Sequence, residues 1–315
     1  MAAVRKVMDR SMSEYSEHPF DLTSSNNSWS HLYSYIEDKS KVLDVGCSTG
    51  AFGAALRDLK QCIVVGIDIN REDLKKAKEN LDKAVYMDAN DPALLKLGKF
   101  DVVIFADVLE HLIDPRATLQ NIKQILKPNG IVIFSLPNMA HMSVRLDLLT
   151  GTFPYKNVGL LDKTHLHFYD KRETESMFRE AGYKIEQMNP VLSEYPGDII
   201  QEKLKETGLK YTNEFADYLR ESSGNIFQFV GYAKPSKKEK HQETKYIMPQ
   251  DEITNYADTI LVENRRLWES EERLKKEITL LQEKLNEDEV KNSKVGRFVT
   301  QKISKIRHTE VADDK

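Results

Sequence analysis

Residues 42–53 read VLDVGCSTGAFG, a short and mostly apolar run that ends in a glycine-rich turn. Such a run is typical of a buried parallel strand, and ligands of α/β proteins bind at the carboxyl ends of these strands. Gly46, Gly50 and Gly53 would let the main chain approach a ligand closely. The spacing differs from the G-x-G-x-x-G fingerprint of dinucleotide-binding proteins, because Ser48 stands where the second glycine belongs. This departure disfavours a nicotinamide dehydrogenase.

Three further apolar runs predict strands that end in acidic residues. They occupy residues 64–68 (VVGID), 85–89 (VYMDA) and 100–107 (FDVVIFAD), and helix-like segments separate them. Alternation of this kind predicts a parallel sheet with helices on both faces. Asp68 follows the first glycine by about twenty residues, where a carboxylate can accept hydrogen bonds from both ribose hydroxyls of a nucleoside.

The pattern D-x-G-x-S-x-G at residues 44–50 resembles motif I of class I methyltransferases that use S-adenosylmethionine (SAM), and FDVV…VLEH at 100–111 resembles a later block of that family. The resemblance implies a doubly wound, Rossmann-like α/β fold with a seven-stranded, mostly parallel sheet, and SAM as the cofactor. It places Asp88 against the adenine amino group. Asp44 is equally compatible with a structural role, bonding backbone amides. The predicted cofactor-binding residues are Asp44, Gly46, Cys47, Ser48, Gly50, Asp68, Ile69, Asp88, Ala89, Ala106 and Asp107.

The order of the segments predicts a methyltransferase domain with an appendage. The family's sheet places the last two strands, near 183–191 and 226–233, as an antiparallel edge, with the seventh strand beside the fifth. Helices are expected between them, at 193–224. The predicted divisions are a helical preface (1–40), the SAM-binding domain (41–235), a linker (236–256), a coiled coil (257–288) and a basic amphipathic tail (289–315).

The net charge, the cysteines and the hydropathy of the sequence limit which partners and which cellular compartment we expect. The net charge is −4, so no global basic field favours nucleic acid. The two cysteines, Cys47 and Cys62, suit neither a metal site nor a disulfide framework, and we expect no metal. No signal core and no apolar run long enough to cross a bilayer is present. We therefore expect a cytoplasmic protein.

The segment at 136–169 holds the candidate residues for the acceptor. It contains PNMAHMSVR and, further on, LDKTHLHFY, and it resembles a bacterial subgroup of these methyltransferases associated with glycan and surface-polysaccharide assembly. The resemblance implies a hydroxyl of a sugar or glycan precursor as the acceptor, and Asn138 and Arg145 favour a polar acceptor. A small aromatic or quinone-like hydroxyl is the first alternative. A non-catalytic scaffold that works through its coiled coil is the second.

Three histidines are the predicted catalytic residues: His111, His141 and His165. A neutral imidazole can act as a base or orient an acceptor hydroxyl. Asp162, three residues before His165, could orient that ring. The alternatives are that His111 caps or packs a helix, that His141 packs the loop, and that His165 only fixes the segment.

The carboxyl-terminal region carries a different kind of pattern. Ile260, Leu267, Leu274 and Leu281 recur every seven residues and predict a coiled coil, hence a homo-oligomer; a lone docked helix is the alternative. Residues 291–308 read as a basic amphipathic helix. We expect it to contact the inner face of the cell membrane; docking on a protein partner and a disordered tail are the alternatives.

Overall fold

The structure is a computed structural model, and it describes residues 22, 24–193, 196–236 and 276 of the chain. Its centre is a seven-stranded sheet in the order β3-β2-β1-β4-β5-β7-β6. Strands β1 to β5 are parallel, whereas β7 runs antiparallel to both β5 and β6. The strands are β1 (Lys41–Val45), β2 (Ile63–Asp68), β3 (Lys83–Tyr86), β4 (Phe100–Ala106), β5 (Leu126–Pro137), β6 (Tyr183–Leu192) and β7 (Ile226–Pro235). The predicted α/β fold is confirmed.

Helices connect the strands and cover the sheet. They are α1 (Ser28–Ser34), α2 (Ala51–Lys60), α3 (Arg71–Asn80), α4 (Pro115–Ile122), α5 (Met142–Leu149), α6 (Lys171–Glu180), α7 (Gly197–Leu204) and α8 (Asn213–Glu221). Short 3₁₀ turns occupy Pro92–Leu97, Leu109–His111 and Lys205–Thr207. Two details differ from the sequence prediction. Strand β3 ends before residue 88, and the 109–111 turn, rather than a helix, holds His111.

Each face of the sheet buries its own apolar cluster, which explains the continuous apolar strands. Along β1, Val42 packs on one face with Leu56 of α2, while Leu43 and Val45 pack on the other with Phe105 and Phe134. Side chains of a strand alternate between faces, so a strand covered on both sides needs apolar residues at consecutive positions. Burial on the two faces holds the carboxyl ends of the strands at one edge.

The predicted terminal segments fall mostly outside the described residues. Helix α1 lies within the predicted preface, and its Trp29 packs on Phe52 of α2 with ring centroids 5.0 Å apart. The linker, the coiled coil and the basic tail remain predictions, as do the oligomer and the membrane contact. Within the described part of the chain, no helix combines the length and apolarity that spanning a membrane requires.

Candidate active site

The glycine-rich loop between β1 and α2 adopts a backbone that ordinary residues rarely take. The φ angles are +73° at Gly46, +47° at Ser48 and +77° at Gly50. A Cβ at residue 46 would also stand only 2.6 Å from a methyl group of Val108. A glycine is therefore required at 46 both by backbone conformation and by close approach to the loop that follows β4.

Asp68 at the end of β2 fixes this loop. Its Oδ2 accepts a hydrogen bond from the Ser48 amide at 2.8 Å, and its Oδ1 accepts one from the Asn70 amide at 2.7 Å. The Ser48 hydroxyl in turn donates to Asp73 at 2.9 Å. Since each carboxylate oxygen has a second lone pair, Asp68 can hold the loop and still accept hydrogen bonds from a ligand.

The acids around Asp68 are unequally exposed. Asp44 is buried in β1, and burial together with the nearby Asp68 carboxylate raises its pKa to about 7. Burial likewise raises the pKa of the Cys47 thiol, so this cysteine is a packing residue. Asp88 is exposed in the loop after β3, where its Oδ1 accepts hydrogen bonds from the Asn90 amide and side chain. Ile69 is exposed beside Asp68, whereas Ala89 is buried.

Asp107 turns the chain sharply at the end of β4. Its φ is +53°, and its amide donates to the Ser135 hydroxyl at 3.0 Å. The Gln228 side chain donates to Asp107 Oδ1 at 2.5 Å. Burial raises the pKa of this carboxyl, while the bonds from Gln228 and Ser135 lower it. The sequence did not point to Gln228, because it joins the site only when β7 inserts next to β5.

Two of the three predicted histidines, His111 and His165, are in contact. The rings of His111 and His165 are in edge contact, with centroids 4.7 Å apart. Glu110 completes a cluster with them. Each of the three side chains offers one atom that could bind a metal ion, and these three atoms lie within 4.8 Å of one another. The amides of Leu166 and His167 both donate to the main-chain oxygen of Glu110, at 2.8 and 3.1 Å. Main-chain bonds therefore hold the two segments together.

Glu110 is the most unusual member of this cluster. Its side chain is fully buried, and neither carboxyl oxygen has a hydrogen-bond partner within the described residues. Burial, with Asp107 and Asp162 nearby, raises its pKa well above the ordinary range. The sequence reading did not select Glu110, although it directly precedes His111 in the LEH block.

Hydrogen bonds orient both imidazoles through Nδ1. His165 Nδ1 lies 3.1 Å from the Leu160 carbonyl oxygen, and His111 Nδ1 lies 3.2 Å from the Thr164 carbonyl oxygen. Asp162 fixes Thr164 by accepting hydrogen bonds from its amide and hydroxyl, both at 2.7 Å. Burial and the neighbouring His111 lower the pKa of His165 to about 4, partly opposed by Asp162. His165 is therefore neutral near pH 7.

The third predicted histidine has a structural environment. His141 is buried, its Nδ1 accepts from the Ser143 amide at the start of α5, and its Nε2 donates to the Ser193 carbonyl at 2.9 Å. Burial lowers its pKa to about 4. With both nitrogens engaged, this geometry does not support the predicted role of His141 as a base at the acceptor.

The two polar residues that favoured a sugar acceptor are also committed to internal hydrogen bonds. Asn138 is buried, and its amide nitrogen donates to the carbonyl oxygens of Ser223 and Ile226. Arg145 donates to the hydroxyl and the carbonyl oxygen of Ser222, both at 2.6 Å. These side chains join the loop after β5 to the turn before β7.

Unlike these polar residues, several aromatic side chains on the segment that carries His165 are exposed. Phe153 contacts Tyr155 and Phe168, with ring centroids 5.4 and 6.0 Å apart. All three rings remain exposed, as does Leu166. Exposed apolar side chains add nothing to the core of the fold. A set of them on the segment that also carries a buried polar cluster therefore marks a candidate binding edge.

The strand order with β7 between β5 and β6, and the glycine loop tied to the acid at the tip of β2, define the class I methyltransferase architecture. Residues 28–188 match the family described as a methyltransferase domain. The chain belongs to this family, and it is a SAM-dependent methyltransferase.

Curated relatives give a more specific comparison. The chain is 32% identical over 166 residues to a ubiquinone biosynthesis O-methyltransferase of Thiobacillus denitrificans, covering 49% of this chain and 71% of that protein. It is 28% identical over 177 residues to the protein of the same name from Saccharophagus degradans, covering 51% and 75%. The CcbJ methyltransferase from Streptomyces caelestis overlaps 72% of this chain and 97% of its own, with a TM-score of 0.47 and 15% identity. The names of the two curated relatives do not support the predicted glycan subgroup.

Proposed function

We propose that this protein transfers the methyl group of SAM to a hydroxyl oxygen on an aromatic, quinone-like acceptor. One observation carries the choice of acceptor. Asn138 and Arg145, on the segment after β5, are occupied by internal hydrogen bonds, whereas Phe153, Tyr155 and Phe168 are exposed on the same segment as His165. Aromatic side chains offer a flat apolar surface on which a ring can pack.

The relatives support the same acceptor class. Both proteins described above are named ubiquinone biosynthesis O-methyltransferases. The sugar or glycan precursor that the sequence favoured loses the support of Asn138 and Arg145, because these side chains donate hydrogen bonds to Ile226 and Ser222.

The residues present fit SAM. The loop at 46–50 offers main chain at the ligand edge, Asp68 keeps lone pairs for the ribose hydroxyls, and the exposed Asp88 can accept from the adenine amino group. Exposed Ile69 gives the adenine ring an apolar neighbour. These assignments follow the order of strand tips β1, β2 and β3 along one edge of the sheet.

The reaction joins the acceptor oxygen to a methyl carbon and releases one proton. When bound, SAM supplies that methyl on a sulfonium sulfur, which keeps the electron pair of the broken bond. The protein holds the acceptor oxygen in line with the methyl carbon, and such alignment can contribute several kcal/mol. The hydroxyl proton must also leave, and His111, the half-buried member of the cluster with Glu110 and His165, is the candidate base.

An assay of acceptor classes tests this function. The purified full-length chain is incubated with SAM and either a soluble catechol, a hydroquinone or a nucleotide sugar, and both S-adenosylhomocysteine and the methylated product are quantified by mass spectrometry. We expect methylated phenolic oxygen and no methylated sugar. Methylation of the nucleotide sugar with no reaction on either aromatic compound would contradict the proposal.

A paired substitution tests the aromatic edge itself. Phe168→Ala should raise the KM for the aromatic acceptor by about tenfold, because packing on an aromatic ring contributes about 1 kcal/mol or more. Tyr218→Ala is the matched control, since Tyr218 is also exposed but lies on α8. Equal KM values for the two variants would remove Phe168 from the acceptor site.

A further inference from the structure

We propose that Glu110, His111 and His165 bind a divalent transition-metal ion next to the acceptor oxygen. The participation of this ion in methyl transfer rests on the proposed function, whereas binding of the ion does not. Four observations support the site: the unpartnered carboxylate, the orientation of the two rings, the groups behind them, and the ligand types.

The buried carboxyl of Glu110 needs a partner. It is completely inaccessible to solvent, and within the described residues its two oxygens accept no hydrogen bond. An uncompensated carboxylate in such a position is costly, and proteins normally satisfy one with a cation or with hydrogen-bond donors. The His165 ring stands close to it, with Nε2 4.0 Å from Glu110 Oε1.

As neutral rings, the two imidazoles cannot both donate a hydrogen bond to the Glu110 carboxylate. A carbonyl oxygen faces Nδ1 of each ring, so Nδ1 carries the proton in the neutral form. Nε2 then carries a lone pair. When Glu110 is ionised, this lone pair of His165 faces Glu110 Oε1 at 4.0 Å, and the two acceptors have no donor between them. A cation resolves this arrangement.

The hydrogen-bond partners of Nδ1 in the two rings are of the kind found around metal-binding histidines. Such histidines donate their second N–H to a carbonyl or carboxylate oxygen, which fixes the ring and its tautomer. Here Leu160 supplies the carbonyl for His165 and Thr164 for His111. The Thr164 hydroxyl also lies 3.1 Å from His111 Nδ1 and donates to Asp162, so it can only accept from the ring.

The ligand types select the kind of ion. Two imidazole nitrogens and one carboxylate oxygen favour zinc, iron(II), manganese or cobalt over magnesium, which prefers oxygen ligands. Ligand bonds of about 2.0–2.2 Å place neighbouring ligand atoms closer together than the 4.0 Å between His165 Nε2 and Glu110 Oε1, so side-chain rotations must close the site around the ion. Three protein ligands leave positions open for an acceptor oxygen.

An ion at this place would act on the acceptor hydroxyl. Coordination lowers the pKa of a bound hydroxyl, so the O–H bond breaks, the proton passes to water, and the oxygen keeps the electron pair that attacks the methyl carbon. A catechol-like or hydroquinone-like oxygen, already more acidic than a sugar hydroxyl, suits this activation.

Cobalt is the probe for the site, because Co²⁺ bound to imidazole and carboxylate gives visible absorption that the hydrated ion lacks. Tag-free, full-length protein, treated with a chelator and dialysed, is titrated with Co²⁺ and then with Zn²⁺ in competition. We expect one site per chain with an altered visible spectrum, displacement by Zn²⁺, and no displacement by a thousandfold larger Mg²⁺ concentration.

Variants assign the ligands. Glu110→Gln, His111→Gln and His165→Gln should each weaken Co²⁺ binding about 100-fold or more, and Thr164→Val about tenfold, through the loss of one support to His111. His167→Gln is the matched control, because this histidine lies on the same segment and faces the Ile113 carbonyl oxygen. SAM affinity, measured calorimetrically, verifies that each variant is folded.

The outcomes separate the metal site from the methyl transfer. An unchanged cobalt spectrum in protein that binds SAM, or Co²⁺ binding that survives in both Glu110→Gln and His165→Gln, overturns the proposal; a proton shared between Glu110 and His165 would give the first result. If Co²⁺ binds as expected but no aromatic acceptor is methylated, the metal site stands and the proposed acceptor fails. If an aromatic acceptor is methylated and the chelator has no effect, the ion has no part in the reaction.

Discussion

The cofactor side of the site is built largely from main chain, whereas the acceptor side is built from side chains that reach between distant segments. At 46–50 the loop is shaped by positive φ angles and tied to Asp68 through the Ser48 amide. Around the acceptor, Asn138 and Arg145 instead bond to residues more than seventy positions later in the chain. The first kind of site depends on local sequence spacing, and the second depends on how β7 inserts into the sheet.

This difference predicts that substitutions on the two sides affect different measurements. Changes at the acceptor side should alter turnover or stability and leave SAM affinity intact. Changes at the cofactor side should alter SAM affinity first. Four experiments test the division, in order of expected effect.

His111→Gln should reduce turnover about 10³-fold, because the cluster that removes the acceptor proton loses an imidazole whether that ring accepts the proton or holds an ion. SAM affinity should stay within twofold. Single-turnover rates and calorimetric titration measure the two quantities. Full turnover in the variant would place proton removal elsewhere.

Asp68→Ala should weaken SAM binding about 100-fold, because charge-assisted hydrogen bonds contribute about 1.5–3 kcal/mol each and the Ser48 amide also loses its partner. Calorimetric titration with SAM and S-adenosylhomocysteine gives the affinities, and NAD serves as the ligand that should not bind. Asp82→Ala is a control from the end of α3, where the carboxylate accepts from the Val64 amide. Equal losses in both variants would show a general effect on the sheet rather than a ligand contact.

Asn138→Ala should lower the free energy of unfolding by about 2–3 kcal/mol, since it leaves the buried carbonyl oxygen of Ile226 and the half-buried one of Ser223 without their donor. Urea unfolding monitored by circular dichroism measures the change. SAM affinity should be unaffected, because the lost bonds join 138 to the turn before β7. A parallel loss of SAM affinity would break the division between the two sides.

Ionisation of Asp44, which lies on the cofactor side, should make the free energy of unfolding depend on pH. Its folded pKa, about 7, lies above the unfolded value, so the folded state binds the proton more tightly and stability falls as pH rises from about 4 to about 7. Between pH 5 and 7 this contribution amounts to about 2 kcal/mol. Asp44→Asn should flatten the urea-unfolding free energy over that window, and an unchanged slope would show that Asp44 ionises normally.

Local spacing was sufficient for much of this molecule. The first parallel strands, the glycine loop and the acid at 68 were predicted, because each depends on a few consecutive residues and on the burial of a strand on both faces. The resemblance to class I methyltransferases implied the seven-stranded sheet and its antiparallel edge. The end of β3 was misplaced, since Met87 continues the apolar run and still donates its amide to the Asp68 carbonyl oxygen, although the strand ends at Tyr86.

The acceptor side shows the limit of that reasoning. His141, Asn138 and Arg145 looked like ligand residues because they are polar and lie on a loop at a strand's carboxyl end. Each is instead paired with a carbonyl oxygen, of Ser193, Ile226 and Ser222 respectively. Glu110 looked like a helix residue, and only its complete burial without a partner singles it out.

The sequence alone determined the α/β fold class and the loop that receives the ligand, because strand burial and glycine conformation are set by neighbours in the chain, and its resemblance to class I methyltransferases implied the cofactor. Only the tertiary structure decided which histidines stand together, which polar residues are already paired, and that Glu110 joins His111 and His165. The physical reason is that hydrogen-bond satisfaction and desolvation depend on every segment that packs around a group, and β7 and the 162–167 loop reach the site from far along the chain.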